Sequence, residues 1–189
     1  MVIINPGQQR FFIALLPPEN VGQIARHIEQ RFARVYNSRA AQKSPPHITL
    51  QPPFHWSGSE LPNLQQKLTE FALVQNPIPV TLDGFGAFST RVIYINVIST
   101  PELLTIQKKL SNYLQSSCGI MGTGGSNRHY TPHITVAFRD LTKQNFRKAW
   151  SELEHQQLYF EFIVPVVTLL IHNGKRWHIC QEFVFNEHQ

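Results

Sequence analysis

Two imidazoles and two hydroxyls recur in one pattern: Pro46-His47-Ile48-Thr49 returns as Pro132-His133-Ile134-Thr135. Residues two apart on an extended strand share a face, so His47 and Thr49 look one way, as do His133 and Thr135. Ile48, Leu50, Ile134 and Val136 turn to the other side. An imidazole changes charge near neutral pH. Two of them flanking one phosphorus centre can divide a displacement: the neutral ring takes a proton from the attacking oxygen, and the protonated ring gives one to the leaving oxygen. A threonine hydroxyl donates to a non-bridging oxygen without adding charge. The pattern points to displacement at a phosphodiester that requires no metal, with His47 and His133 as proton-transfer groups and Thr49 and Thr135 as phosphate donors. A single His-x-Thr on a strand is common and packing alone would explain it. Packing does not require a hydroxyl two residues on in both copies.

The elements that must position the motifs repeat as well. Residues 10–16 form an apolar run stopped by Pro17-Pro18, as suits a buried strand. Val21, Ile24, Ala25, Ile28, Phe32 and Val35 recur at helical spacing, with Arg26, Glu29, Gln30 and Arg34 on the opposite face. Residues 47–51 read as a strand broken by Pro52-Pro53, and Leu61, Leu64, Leu68, Phe71 and Ala72 mark a second helix. Ile78, Val80 and Leu82 alternate as in a half-buried strand before Asp83-Gly84-Phe85-Gly86 turns the chain. The order then returns. A strand at 92–98 leads to a helix begun by Pro101 and carrying Leu103, Ile106, Leu110, Tyr113 and Leu114. The second motif strand spans 133–138, and Phe146, Ala149, Trp150 and Leu153 mark the fourth helix. Residues 158–171 and 176–185 are two β-rich runs around His172-Asn173-Gly174-Lys175, whose Asn-Gly is a hairpin signal. The predicted fold is α+β, a bilobal pseudo-two-fold repeat with two small antiparallel sheets lining a central cleft and helices on the outside. No Ser, Gly or charged run separates the halves, so residues 1–189 are expected as one domain, with an N-terminal half of about 10–90 and a C-terminal half of about 91–189.

Composition agrees with this. With 42% hydrophobic and 15% charged residues the chain is that of an ordinary folded protein. Its formal net charge of +5 is scattered, which favours an anionic ligand without demanding long nucleic acid. Cys118 and Cys180 have no CxxC spacing, so neither a disulfide framework nor a thiolate metal site is expected. No apolar run reaches the length of a membrane span, and residues 1–9 lack the regions of a secretory signal. The expectation is a cytoplasmic monomer with no membrane contact and no obligate protein partner.

The motif residues resemble the two H-x-T/S-x signatures of the 2H phosphoesterases, in particular the branch of 2'-5' RNA ligases and 2',3'-cyclic nucleotide phosphodiesterases. The likeness extends to Arg10-Phe11-Phe12-Ile13-Ala14-Leu15, to Gly84-Phe85-Gly86-Ala87-Phe88 followed by Arg91-Val92-Ile93-Tyr94, and to the separation of the histidines (133 − 47 = 86). The resemblance implies a bilobal fold with both His-Thr pairs on the floor of a cleft. It also implies hydrolysis of 2',3'-cyclic phosphates, on RNA ends or small cyclic nucleotides, without metal or other cofactor. Some relatives join RNA ends through a 2'-5' linkage, the reverse chemistry with a ribose 5'-hydroxyl in place of water. Many relatives read H-x-T-x-Ala-Arg, whereas Val136-Ala137-Phe138-Arg139 sets the basic residue one position later. Arg139 shares the strand parity of His133 and on that ground can still face the cleft and bind substrate.

Other residues carry weaker signals. Phe54, Tyr130 and Phe138 lie near the motifs, where base stacking and packing are equally open. Residues 119–129 read as a mobile surface loop whose glycines lack a P-loop arrangement and whose Arg128 can reach a phosphate. His129 and His133 have a zinc-like spacing but straddle a loop and a strand, with no third ligand. His27, His155 and His188 read as solvated, and His172 and His178 as surface residues of the last hairpin. The competing function is an RNA-end-binding protein with the same cleft and little turnover.

Overall fold

The computed structural model describes residues 7–121 and 130–186. Their order is β1 (Gln8–Leu15), α1 (Glu19–Val35), β2 (Ile48–Ser57), α2 (Leu61–Ala72), β3 (Ile78–Phe88), β4 (Val92–Val97), α3 (Pro101–Cys118), β5 (His133–Ala137), α4 (Lys143–Leu153), β6 (Tyr159–Val164), β7 (Val166–His172) and β8 (Trp177–Val184). The helices fall where apolar residues recur at helical spacing. Thr100 and Thr142 start α3 and α4 by accepting from the backbone N–H groups of Leu103 and Asn145, and Gly119 ends α3 in the left-handed region at φ 65°.

All eight strands form one antiparallel sheet, ordered β6-β3-β4-β5-β2-β1-β7-β8, where two small sheets were expected. The motif strands β2 and β5 meet at its middle through the pair Ile48–Ile134. β3, from the N-terminal half, pairs with β4, while β7, from the C-terminal half, pairs with β1. Each half thus lends a strand to the other, so a cut near residue 90 leaves neither half with a continuous sheet. Val164 ends the outermost strand β6 and Val166 opens β7 beside the opposite edge. Residues two apart lie at most about 7 Å from one another at Cα. The sheet therefore curls until its ends approach.

Three strands differ from their sequence patterns for local reasons. Pro52 and Pro53 do not end β2; they sit in a bulge between the pairs Ile13–Gln51 and Phe11–Phe54. β2 pairs with β5 only at Ile48, so the missing proline N–H groups take little from the ladder. Asp83-Gly84 bulges β3 rather than turning it, with Gly84 at φ 65° as the extra residue between the pairs Leu82–Val97 and Phe85–Ile95. The turn falls at residues 89–91, where Ser89 has φ 50°. The run 158–171 is split by Pro165, which lacks a ladder N–H.

The helices cover one face of the sheet, with α1 against β5, α3 against β2 and β3, α2 against β8 and α4 against β4. Phe11, Ile13 and Leu15 of β1, Ile48 and Leu50 of β2 and Ile134 and Val136 of β5 enter the core there, with Phe32, Leu64, Leu68, Leu110 and Leu114 from the helices. Each such side chain contributes roughly 1.5–3 kcal/mol relative to exposure. A second, smaller cluster of Phe12, Ala14 and Leu170 lies on the opposite face, backed by Leu16 and Trp177.

Two residues of α1 break the helical pattern. Glu29, expected on the polar face of α1, is buried, while Val35 is 53% exposed. Burial lifts the Glu29 carboxyl to about 8, against a smaller opposing pull from Arg26. Between the ordinary carboxylate pKa and about pH 8 the folded chain keeps a proton that the unfolded chain has lost, so stability falls as pH rises through that window. Glu29→Gln should raise the unfolding free energy at pH 8 by about 1–3 kcal/mol and change it little at pH 5. Thermal melts at the two pH values check this, and equal shifts at both would rule it out.

Candidate functional site

Strand register decides which side chains share the face opposite the helices. Ala14 pairs with Thr49, so Thr49 joins Ala14 and Phe12 on that face while Ile48, paired with Leu15, enters the core. The antiparallel pair Ile48–Ile134 sets His47 across from Thr135 and Thr49 across from His133. His and Thr thus alternate around a square. The two histidines are its diagonal, and diagonal neighbours in a regular ladder are roughly 7–8 Å apart.

A cavity of about 310 Å³ opens on this face, bounded by His47, Thr49 and Thr135 and also by Arg10, Lys43, Arg139, His172 and Trp177. His133 stands beside it, with the rings of Phe88 and Tyr94 at 4.9 and 5.1 Å. Tyr94 can occupy that position because Gly86 lies under it: a Cβ at 86 would fall 2.4 Å from the ring. The His47 ring packs 4.7 Å from that of Phe12.

Both imidazoles are oriented by the same device. His47 Nδ1 lies 2.7 Å from the carbonyl of Pro45, and His133 Nδ1 lies 2.8 Å from that of Thr131. A carbonyl only accepts, so each Nδ1 carries the proton, and Nε2 is the atom that exchanges protons with a ligand. Burial pulls the His47 imidazole down to about 4; its Pro45 hydrogen bond opposes this and the His133 charge adds to it. Burial also lowers the His133 pKa, opposed by the Thr131 bond. Both rings are therefore neutral in the empty site at neutral pH.

The remaining expectations divide. Arg139 reaches the cavity, although β5 ends at Ala137 and strand parity no longer applies. It sits at φ 60°, its guanidinium 5.1 Å from the Phe138 ring centre. Its neighbour Asp140 accepts from Ser38 Oγ at 2.7 Å and from the Arg39 N–H at 2.8 Å, which ties this turn to the segment ahead of the first motif. Tyr130 donates its hydroxyl to the Thr49 carbonyl at 3.0 Å, and burial raises its pKa, so it braces β2. Phe54 is in the core against Phe11 at 6.2 Å and offers no face to a base. Arg128, His129 and most of the segment 119–129 lie outside the described residues, as does His188.

His172, expected as a surface residue, instead bounds the cavity, and Arg10, Phe12 and Trp177 were not anticipated there. The signal for Phe12 was present: in residues 10–15 every second side chain must leave the helix-covered face, whatever its hydrophobicity. His172 and Trp177 carried no comparable signal. They arrive only because β7 crosses to pair with β1.

The model of the 2'-5' RNA ligase superfamily matches residues 17–176. A Geobacillus kaustophilus protein provisionally named a phosphoesterase is 27% identical over 93% of this chain and 95% of its own length. Among solved structures, TT0787 of Thermus thermophilus superposes with a TM-score of 0.66 at 19% identity, covering 95% of this chain and all of that one. LigT of E. coli complexed with 3'-AMP superposes with a TM-score of 0.67 at 19% identity, covering 96% and 99% of the two chains.

Proposed function

This chain belongs to the 2'-5' RNA ligase superfamily, and we propose that it hydrolyses 2',3'-cyclic phosphate ends of nucleotides or RNA through a His47/His133 acid-base pair. The observation that carries this reading is the matched pair of Nδ1 bonds to Pro45 and Thr131, which prepares two imidazoles to exchange protons at Nε2. The neutral ring takes a proton from water as its oxygen forms a bond to phosphorus. The protonated ring supplies a proton to the ribose oxygen as the P–O bond breaks. A nucleoside phosphomonoester leaves, and the pair has exchanged its proton. Thr49 and Thr135 donate to the non-bridging oxygens, and Arg139 adds positive charge beside them.

The 3'-AMP held by LigT lends support, because a 3'-phosphomonoester is what remains when the 2' bond of such a cyclic phosphate is cut. With a ribose 5'-hydroxyl in place of water as the attacking group, the new bond to phosphorus forms as the bond to the 3' oxygen breaks, and a 2'-5' linkage results. Among the described residues the lining offers imidazole, hydroxyl and cation donors and no carboxylate, which suits an anion better than a metal cation, so turnover is expected to persist in EDTA. Incubating adenosine 2',3'-cyclic phosphate with the protein in EDTA tests the reading; binding without turnover would support the RNA-end-binding alternative.

The threonines give a graded test. Thr49→Val and Thr135→Val keep shape and remove one donor to an anion, so each should lower kcat/KM by about 10- to 100-fold. Steady-state kinetics check this, and full activity in both variants would remove the hydroxyls from the mechanism.

A further inference from the structure

The proton-transfer chemistry occupies one end of the cavity, and the other end is built of residues that chemistry does not use. Phe11 pairs with Ile171 and His172 with Trp177, which sets Arg10, His172 and Trp177 in one rung across β1, β7 and β8, on the face that carries Phe12 and Thr49. The Trp177 ring lies 4.6 Å from that of Phe12 and 4.8 Å from that of His172. Phe12 in turn touches the His47 ring at 4.7 Å. An aromatic floor thus runs from a catalytic imidazole to the cationic rung.

The charge at that end is held but not neutralised. The Arg10 guanidinium lies 5.5 Å over the Trp177 indole. A ring orients a guanidinium yet leaves its full charge and N–H donors available, as a carboxylate would not. Among the described residues, neither Arg10 nor Lys43 forms an ion pair and no carboxylate lines the cavity. His172 is kept below its ordinary pKa by burial and then by the charges of Arg10, Lys43 and His178, so these groups are close enough to repel. Like charges gathered without a counter-ion are costly when the site is empty and favourable to a bound anion. Phe12 separates this end from His47, so a phosphate held by the motifs does not satisfy it.

We infer that Arg10, Lys43 and His172 form a second anion subsite, which takes a 5'-side phosphate of the same nucleotide whose cyclic phosphate meets the histidines. The identity of the first phosphate rests on the cyclic phosphodiesterase reading. The substrate class narrows to cyclic phosphates that carry a second phosphate on the 5' side, as an RNA end or a 5'-phosphorylated nucleotide does.

Equilibrium binding tests this without turnover. Adenosine 3',5'-bisphosphate should bind about tenfold more tightly than adenosine 3'-phosphate at low salt, from charge-assisted contacts to the second phosphate. That advantage should shrink as salt is raised. It should fall to about twofold or less in Arg10→Gln, Lys43→Gln and the double variant. Lys148→Gln, on the outer surface of α4, should keep it. Equal affinities in the unaltered protein overturn the subsite, as does an advantage that survives the double variant or is lost equally in Lys148→Gln. An adenylyl dinucleotide ending in a 3'-phosphate serves as a third ligand. If it matches the bisphosphate, the second phosphate is that of an RNA chain; if it binds like the monophosphate, the site requires a terminal 5'-phosphate, and both rankings support the subsite. Failure to hydrolyse any 2',3'-cyclic phosphate would instead remove the cyclic phosphodiesterase reading and leave the binding ratio to stand by itself.

Discussion

His47→Ala and His133→Ala should each lower kcat for a 2',3'-cyclic nucleotide by about 100- to 10,000-fold, because each removes one positioned proton-transfer group. The losses should not multiply in the double variant, since once either ring is gone the other no longer completes a proton exchange. Folding should survive. Neither imidazole belongs to the main core; His47→Ala gives up a contact with Phe12, and His133→Ala gives up contacts with Phe88 and Tyr94. The variants should still bind adenosine 3'-phosphate through Thr49, Thr135 and Arg139, which separates loss of chemistry from loss of the site. Single-turnover kinetics beside an equilibrium titration measure both. A purified, folded His133→Ala protein that hydrolyses at full rate would end the two-histidine mechanism.

Those two residues were legible because the motif is short, doubled and strand-borne, and strand parity alone places imidazole and hydroxyl together. Register explains the rest of the square: one pair, Ile48–Ile134, converts two parallel readings into an alternating His-Thr array. Helices were legible too, apart from Glu29, whose burial overrides its polarity, and Val35, which the end of α1 leaves exposed. What failed was anything decided by partners distant in sequence. Pro52-Pro53 reads as a stop until the neighbouring strand is known to bulge there. Asp83-Gly84 reads as a turn for the same reason. The exchange of β3 and β7 between halves, which merges two expected sheets into one, leaves no local mark, because each strand carries the same sequence pattern whichever neighbour it joins. The cavity positions of His172 and Trp177 were missed by that route, while Phe54, for which stacking and packing were both open, packs in the core.

Hydrolysis should follow a bell-shaped pH profile whose kcat/KM maximum lies on the acid side of neutrality. The active form carries one proton on the histidine pair, so rate is lost both when the second proton binds and when the last one leaves. In the free protein burial holds His47 at about 4 and keeps His133 below its ordinary value of 6.5. Since kcat/KM reports the free enzyme, both limbs should fall below pH 6.5, with activity dropping about tenfold per unit on the alkaline side. A bound phosphodiester anion favours imidazolium and raises both values, so the kcat profile should be displaced toward higher pH than that of kcat/KM. The two limbs belong to the coupled pair rather than to either ring singly. Residual activity in His47→Ala or His133→Ala should keep one limb and lose the other, and EDTA should move neither. A flat kcat/KM between pH 4 and 9 would exclude the pair as acid and base. Activity abolished by EDTA and restored by zinc or manganese would assign the attacking oxygen to a metal-bound water, with the imidazoles as its ligands.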